Sequence, residues 1–209
     1  MNGELWIVDA NGKRYDLTGP NAAMNQPSLP VMARACAQIV RFTGHARRPY
    51  SVAEHQLLCA EIAKARDLPP LVQLACLTHD LHEAWLGDVS TPVKLALGDV
   101  WASLESPHAL HLRQYLGLTA VFSAHRAVIK QIDLIALATE RRDLLLWGLD
   151  NHDPWPALDA PGASIAPYAD ADLNEDWREK QSWRDWMESY IVHYHILQEQ
   201  TQLFTPAKD

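Results

Sequence analysis

The sequence predicts an all-α domain with a small β-hairpin at its N-terminus. Three observations predict this. Apolar residues recur at helical spacing, as in Val31, Ala35, Ile39 and Phe42. The strong breakers, "LPP" at 68–70 and "NHDPWPALDAPG" at 151–162, fall between such segments. Asn11-Gly12 sits between two short β-prone runs, which signals a tight hairpin turn.

The elements follow in chain order. "ELWIVDANGKRYDL" (4–17) is the hairpin, and "TGPNAAMNQPSLP" is loop. A first helix covers 31–42, and "TGHARRPY" is loop. Ser51 caps a second helix, with Glu54 three residues on as a capping box; it runs to about Arg66. A third helix runs from about Pro70 to Trp85, with proline tolerated in its first turn. Residues 86–98 are loop with one helical turn after Pro92. Residues 100–116 are helical, and Pro107 is a point at which that helix can break. A long helix covers about Ser123 to Trp147, and "LDNHDPWPALDAPGASIAPYAD" is loop. A last, aromatic-rich helix covers about 173–203. Trp183, Trp186 and Tyr190 share helical spacing there, which suits packing; His193 and His195, two apart, are expected to be exposed.

Composition narrows the class. With 209 residues, 48% of them hydrophobic, the chain can bury one good core, so a single domain over 1–209 is expected. A net charge of -8 without a basic block argues against a nucleic-acid polymer as partner. A small anionic substrate needs only a few local Arg or Lys. "MNGELWIVDA" lacks the basic-then-apolar pattern of a signal peptide, and no apolar run has membrane length. Cys36, Cys59 and Cys76 are odd in number, unpaired in spacing and set in helical segments, which fits reduced, buried thiols in a cytoplasmic protein.

"ACLTHDLHEAWLGDVSTPVK" (75–94) carries the chemistry. It places His79, Asp80, His82, Glu83 and Asp88 within ten residues, just after an apolar run. Charged groups beside a buried face are costly unless paired, and a metal ion is the obvious partner. The stretch alone has too few ligands, but two other helices offer more. His55 lies on the apolar face of "SVAEHQLLCAEIA", and Asp133 is flanked by Ile129, Ile132, Leu134 and Leu137. Asp133 could instead pair with Arg141 or Arg142, but these lie two turns away, so a partner on another helix is expected. Together His55, His79, Asp80 and Asp133 form a His₂Asp₂ set for a divalent ion, with room left for water or substrate. Manganese, cobalt, iron, zinc and magnesium all suit it. His82-Glu83 is no zinc-protease motif, because position 86 is Leu86; His82 is either a residue supporting the ligands or a surface one.

The order His55, His79-Asp80, Asp133 resembles the HD-domain metal-dependent phosphohydrolases. "HDLHEAWLGDVSTPVK" is similar to the HD-x-x-E … G-D-x-x-T-P-V-K stretch of the 5′-deoxynucleotidase-like branch. Arg41-Phe42 in "VRFTGH", together with "RPYSVAEH" and "ATERRDL", resembles small bacterial and phage proteins of that type. The likeness covers about 28–147; the hairpin and a C-terminal loop and helix of about 150–205 lie outside it. The resemblance implies the HD helical bundle and four metal ligands. It implies that Glu83 and Asp88 handle the attacking water and its proton. It also implies that Arg41 holds the phosphate, with Thr91 and Lys94 as further substrate contacts; a solvated loop lysine is the alternative for Lys94. Phe42 stands where that branch commonly carries a tryptophan that crowds the sugar 2′ position. The implied substrate is a deoxynucleoside 5′-monophosphate, and the implied assembly is a homodimer or larger. Two alternatives stay open. One is a deoxynucleoside triphosphohydrolase releasing triphosphate, for which Arg14, Arg47 and Arg48 could serve the extra phosphates. The other is a non-catalytic nucleotide-binding protein, against which Glu83 and Asp88 argue.

Overall fold

A computed structural model describes residues 4–148, 150 and 152–203. Residues 204 and 205 of the expected C-terminal segment lie outside the described residues. The hairpin is present as β1 (Trp6–Val8) and β2 (Arg14–Asp16), antiparallel, with Ile7 opposite Tyr15. Its turn is closed by Asp9 Oδ1, which accepts from the backbone N–H groups of Asn11 and Lys13, both at 2.8 Å. Gly12 supplies the positive φ of 76° that this turn requires.

Ten helices follow among the described residues, and several differ from the sequence expectation. The first, α1 (Leu29–Cys36), ends well before Phe42. The chain leaves the helix to pair with the segment before the next one. Arg41 N–H donates to Tyr50 O at 2.8 Å and Val52 N–H to Ile39 O at 3.0 Å. This short antiparallel contact brings Arg41 beneath the core. Ser51 caps α2 (Val52–Ala65), its Oγ accepting from Glu54 N–H at 3.1 Å. The reciprocal half of the capping box is absent, because the Glu54 carboxylate is taken by Arg48.

The expected helix 70–85 is two: α3 (Pro70–Thr78) and α4 (Glu83–Leu86). Thr78 Oγ1 donates back to Leu74 O at 2.9 Å, competing with the helical ladder. The chain then tightens, with Leu81 N–H on Thr78 O and Glu83 N–H on Asp80 O. His79 and Asp80 therefore lie in a kink. The expected loop 86–98 contains a full helix, α5 (Thr91–Leu97). Pro107 does not break α6 (Asp99–Tyr115); Pro107 and Ser103 both face solvent, so the carbonyl left without an N–H can turn to water. The expected helix 123–147 is α7 (Thr119–Ala124) and α8 (Arg126–Leu144). The C-terminal segment is α9 (Asp176–Lys180) and α10 (Trp183–Leu203), the latter started by Ser182 and Asp185, which cap each other's backbone ends.

The core forms where α2 packs on α3 and α8, with α10 laid across α1, α2 and α3. Met32, Leu58, Ile62, Leu77, Ile132 and Tyr190 are all but fully buried in it. Each such aliphatic side chain contributes about 1.5–3 kcal/mol. Trp186, Tyr190, Tyr194 and Leu197 form the inner face of α10, and Tyr190 Oη donates to Leu77 O at 2.8 Å. His193 and His195 are exposed, as their spacing predicts. All three cysteines are free and buried. Among the described residues no helix is long and apolar enough to cross a membrane.

Candidate metal centre

Four donor atoms converge where α2, the end of α3 and α8 meet. His79 Nε2 lies 3.1 Å from Asp80 Oδ2, 3.4 Å from His55 Nε2 and 3.6 Å from Asp133 Oδ1. His55 Nε2 is 3.4 Å from Asp133 Oδ1 and 3.7 Å from Asp80 Oδ2. Donors bonded to one ion at about 2.1 Å, about 90–110° apart, stand about 3.0–3.4 Å from one another. The observed spacings match that range closely, and all four atoms lie within 4.8 Å of each other. The residues present thus fit a divalent cation. Asp133 is not held by Arg141 or Arg142, which bind Asp159 and Asp143. Cys59 sits behind the set, its Sγ 3.7 Å from His55 Nε2.

Both imidazoles are aimed by their other nitrogen. His79 Nδ1–H donates to Cys76 O at 2.8 Å, a carbonyl of the last turn of α3. His55 Nδ1–H donates to Glu140 Oε1 at 2.5 Å. Both therefore present Nε2 to the centre in the tautomer that ligation needs. Burial opposes charge on both rings, but the neighbouring carboxylates prevail. Glu140 and Asp133 raise His55, and Asp80 with Asp133 raises His79 well above the usual histidine range. In return, His79 holds Asp80 far below the carboxylate range despite burial, and His55 with His79 does the same for Asp133. The carboxylates are kept ionised, as metal ligands must be.

Glu140 was not anticipated. It is fully buried, and its second oxygen accepts from Arg41 Nη2 at 3.1 Å. The available signal was position: Glu140 lies seven residues after Asp133, on the same face of one helix. Arg41 is buried and held charged by Glu140, Asp88, Glu83 and Asp80 against the cost of burial; its Nε has no partner. The guanidinium lies 5.6 Å from the ring of the half-buried Phe42, whose φ is +55°.

Glu83 starts α4, is buried, and has an Oε2 without a partner. Burial, then Asp80 and Asp88, push its carboxyl well above the usual range; burial also raises Asp88, less so because Arg41 opposes it. Lys94 is no solvated loop lysine: on α5 it binds Glu105 at 2.6 Å and approaches Glu83 to 3.8 Å. His82 is buried, 3.4 Å from Glu105, which removes the surface alternative. A cavity of about 890 Å³ opens onto the centre, lined among others by His79, Asp80, Asp133 and Lys94. Thr91 is exposed and does not line it; neither do Arg41 and Phe42. The cations expected for extra phosphates are elsewhere. Arg48 is buried against Glu54, Arg14 binds Glu4 and Asp16 on the hairpin, and Arg47 does not line the cavity.

No family model matches the chain. It is 38% identical over 128 residues to the uncharacterized protein YfdR of Escherichia coli, which takes in 61% of this chain. The match spans 65% of that relative, just under two thirds of its length. It is 35% identical over 147 residues to an uncharacterized protein of Rhodobacter capsulatus, covering 66% of this chain and 72% of the relative. At that identity and coverage, the chain belongs to the same protein family as the Rhodobacter capsulatus protein.

Proposed function

We propose that the chain is an HD-domain metal-dependent phosphohydrolase acting on nucleotides, foremost deoxynucleoside 5′-monophosphates, which it converts to nucleoside and phosphate. One observation carries this reading: a His₂Asp₂ donor set spaced for one ion opens onto a large cavity, with the partnerless Glu83 carboxylate close to Asp80. A bound divalent ion supplies Lewis acidity for phosphoryl oxygens and lowers the pKa of water. The rest falls to the chain. Glu83, its affinity for protons raised by burial, takes a proton from the attacking water. Asp88 is suited to pass a proton to the departing 5′ oxygen. Arg41, with a free Nε, offers a charge-assisted contact to the phosphate, and Phe42 crowds the sugar. Lys94 lines the cavity as a second cation. The setting that goes with this reading is cytoplasmic, with reduced thiols and a homo-oligomeric assembly.

The test is a panel of deoxynucleoside monophosphates, ribonucleoside monophosphates and deoxynucleoside triphosphates, each with manganese, cobalt, iron, zinc and magnesium. Phosphate release from the monophosphates is expected. Glu83→Ala should keep the metal and lower kcat by about 10²–10⁴-fold, as for loss of a proton-transfer group. Binding without turnover of any nucleotide in the wild type would leave only a nucleotide-binding protein.

A further inference from the structure

The cavity beside the metal centre is unusually basic for so acidic a chain. Of 18 lysines and arginines, four line it: Lys94, Arg113, Arg126 and Lys130. Two of them are committed. Lys94 binds Glu105 at 2.6 Å, and Lys130 binds Asp133 at 2.8 Å. The other two have no hydrogen-bond or ion-pair partner among the described residues. Arg113, on α6, only rests over the Phe122 ring at 4.5 Å. Arg126 starts α8 and is exposed. The two are close enough for each to oppose the other's charge, while Asp80 of the metal centre favours Arg113. Like charges held together without counter-charge are unfavourable unless an anion joins them.

We propose that Arg113 and Arg126 form a subsite for a second phosphoryl group, so that the cavity receives a polyphosphate chain with one end at the metal centre. This rests on the phosphohydrolase reading above and directs it toward nucleoside di- or triphosphates. Three features make the subsite specific. The arginines share one continuous cavity with His79, Asp80 and Asp133, so one extended anion reaches both places. A guanidinium fork matches phosphate oxygens in a way a lysine does not. Thr119 and Ser123 line the same wall and offer hydroxyl donors.

The probes are inorganic tripolyphosphate and orthophosphate, both saturated with magnesium so that neither strips the resident ion. Calorimetric titration into the metal-loaded protein should find tripolyphosphate binding the tighter. Arg126→Ala, at an exposed position, and the Arg113→Ala/Arg126→Ala pair should each cut that advantage, the pair by at least about ten-fold. Equal loss for both probes, or no loss, overturns the subsite. The kinetic arm is the ratio of kcat/KM for a deoxynucleoside triphosphate to that for its monophosphate, which the pair should lower by a similar factor. The two ideas fail separately. A wild type that binds tripolyphosphate through this pair but hydrolyses no nucleotide keeps the subsite and loses the hydrolase. Triphosphate hydrolysis indifferent to both arginines does the reverse.

Discussion

Glu54 and His55 are adjacent on α2, each 1% exposed or less, yet the networks around them differ in kind. Around Glu54 the bonding is closed. Arg48 Nη1 and Nη2 take its two oxygens at 2.9 and 2.6 Å, and Arg178 adds a third contact at 3.2 Å. The remaining Arg48 donors reach Leu173 O and Pro49 O. This cluster ties the loop after α8 to the start of α2. Around His55 the bonding is closed on one side only. Glu140 takes Nδ1, but Nε2 faces His79 Nε2 and two carboxylates with nothing between them. Nearby, Arg41 Nε and Glu83 Oε2 also lack partners. A buried polar group left open is costly, so it persists where something else completes it. The difference teaches which cluster is scaffold and which is equipment.

Substitutions can break or sharpen that contrast. The largest effect is expected from Asp133→Ala. It should bring bound metal, measured by elemental analysis, from one ion per chain to near none, and turnover to background with it. Full occupancy in that variant would remove the open cluster from metal chemistry. Next comes Arg48→Ala, which strands the Glu54 carboxylate in the interior. A stability loss of about 3–5 kcal/mol is expected in urea denaturation, with metal content per folded chain unchanged. If metal fell in step with Arg48, the two networks would be one unit and the contrast would collapse. The smallest effect belongs to Glu140→Gln, which keeps size but weakens the hold on His55. Metal affinity should drop about 10–100-fold, read by competition with a chelating dye. An unchanged affinity would mean that Glu140 serves Arg41 rather than the metal centre.

The helical class, the hairpin at Asn11-Gly12, the Ser51 cap and the donors His55, His79, Asp80 and Asp133 were all legible before any coordinates. Each rests on local chemistry: a turn dipeptide, a hydroxyl at a helix start, a polar group on an apolar face. The helix ends were less legible, because apolar spacing runs on through Cys36 and Thr78 while the backbone does not. At Cys36 the stop comes from pairing with residues 50–52, and at Thr78 from a hydroxyl bond within the helix. Ser182-x-x-Asp185 was a readable start signal for α10 that the aromatic run obscured.

By itself the sequence determined which residue types could bind a metal and on which helices they ride, because period and chemistry are local properties. Only the tertiary structure decided which arginine does what. Arg48, expected near phosphate, is spent on Glu54, whereas Arg113 and Arg126 stand unpaired beside the metal centre. Glu140 likewise gains its place only because α8 packs on α2, 85 residues away from His55 in the chain. A charged side chain of given type reads the same wherever it lies in a sequence. Its free energy depends on burial and on counter-charges that arrive from distant segments, and those exist only once the helices have packed.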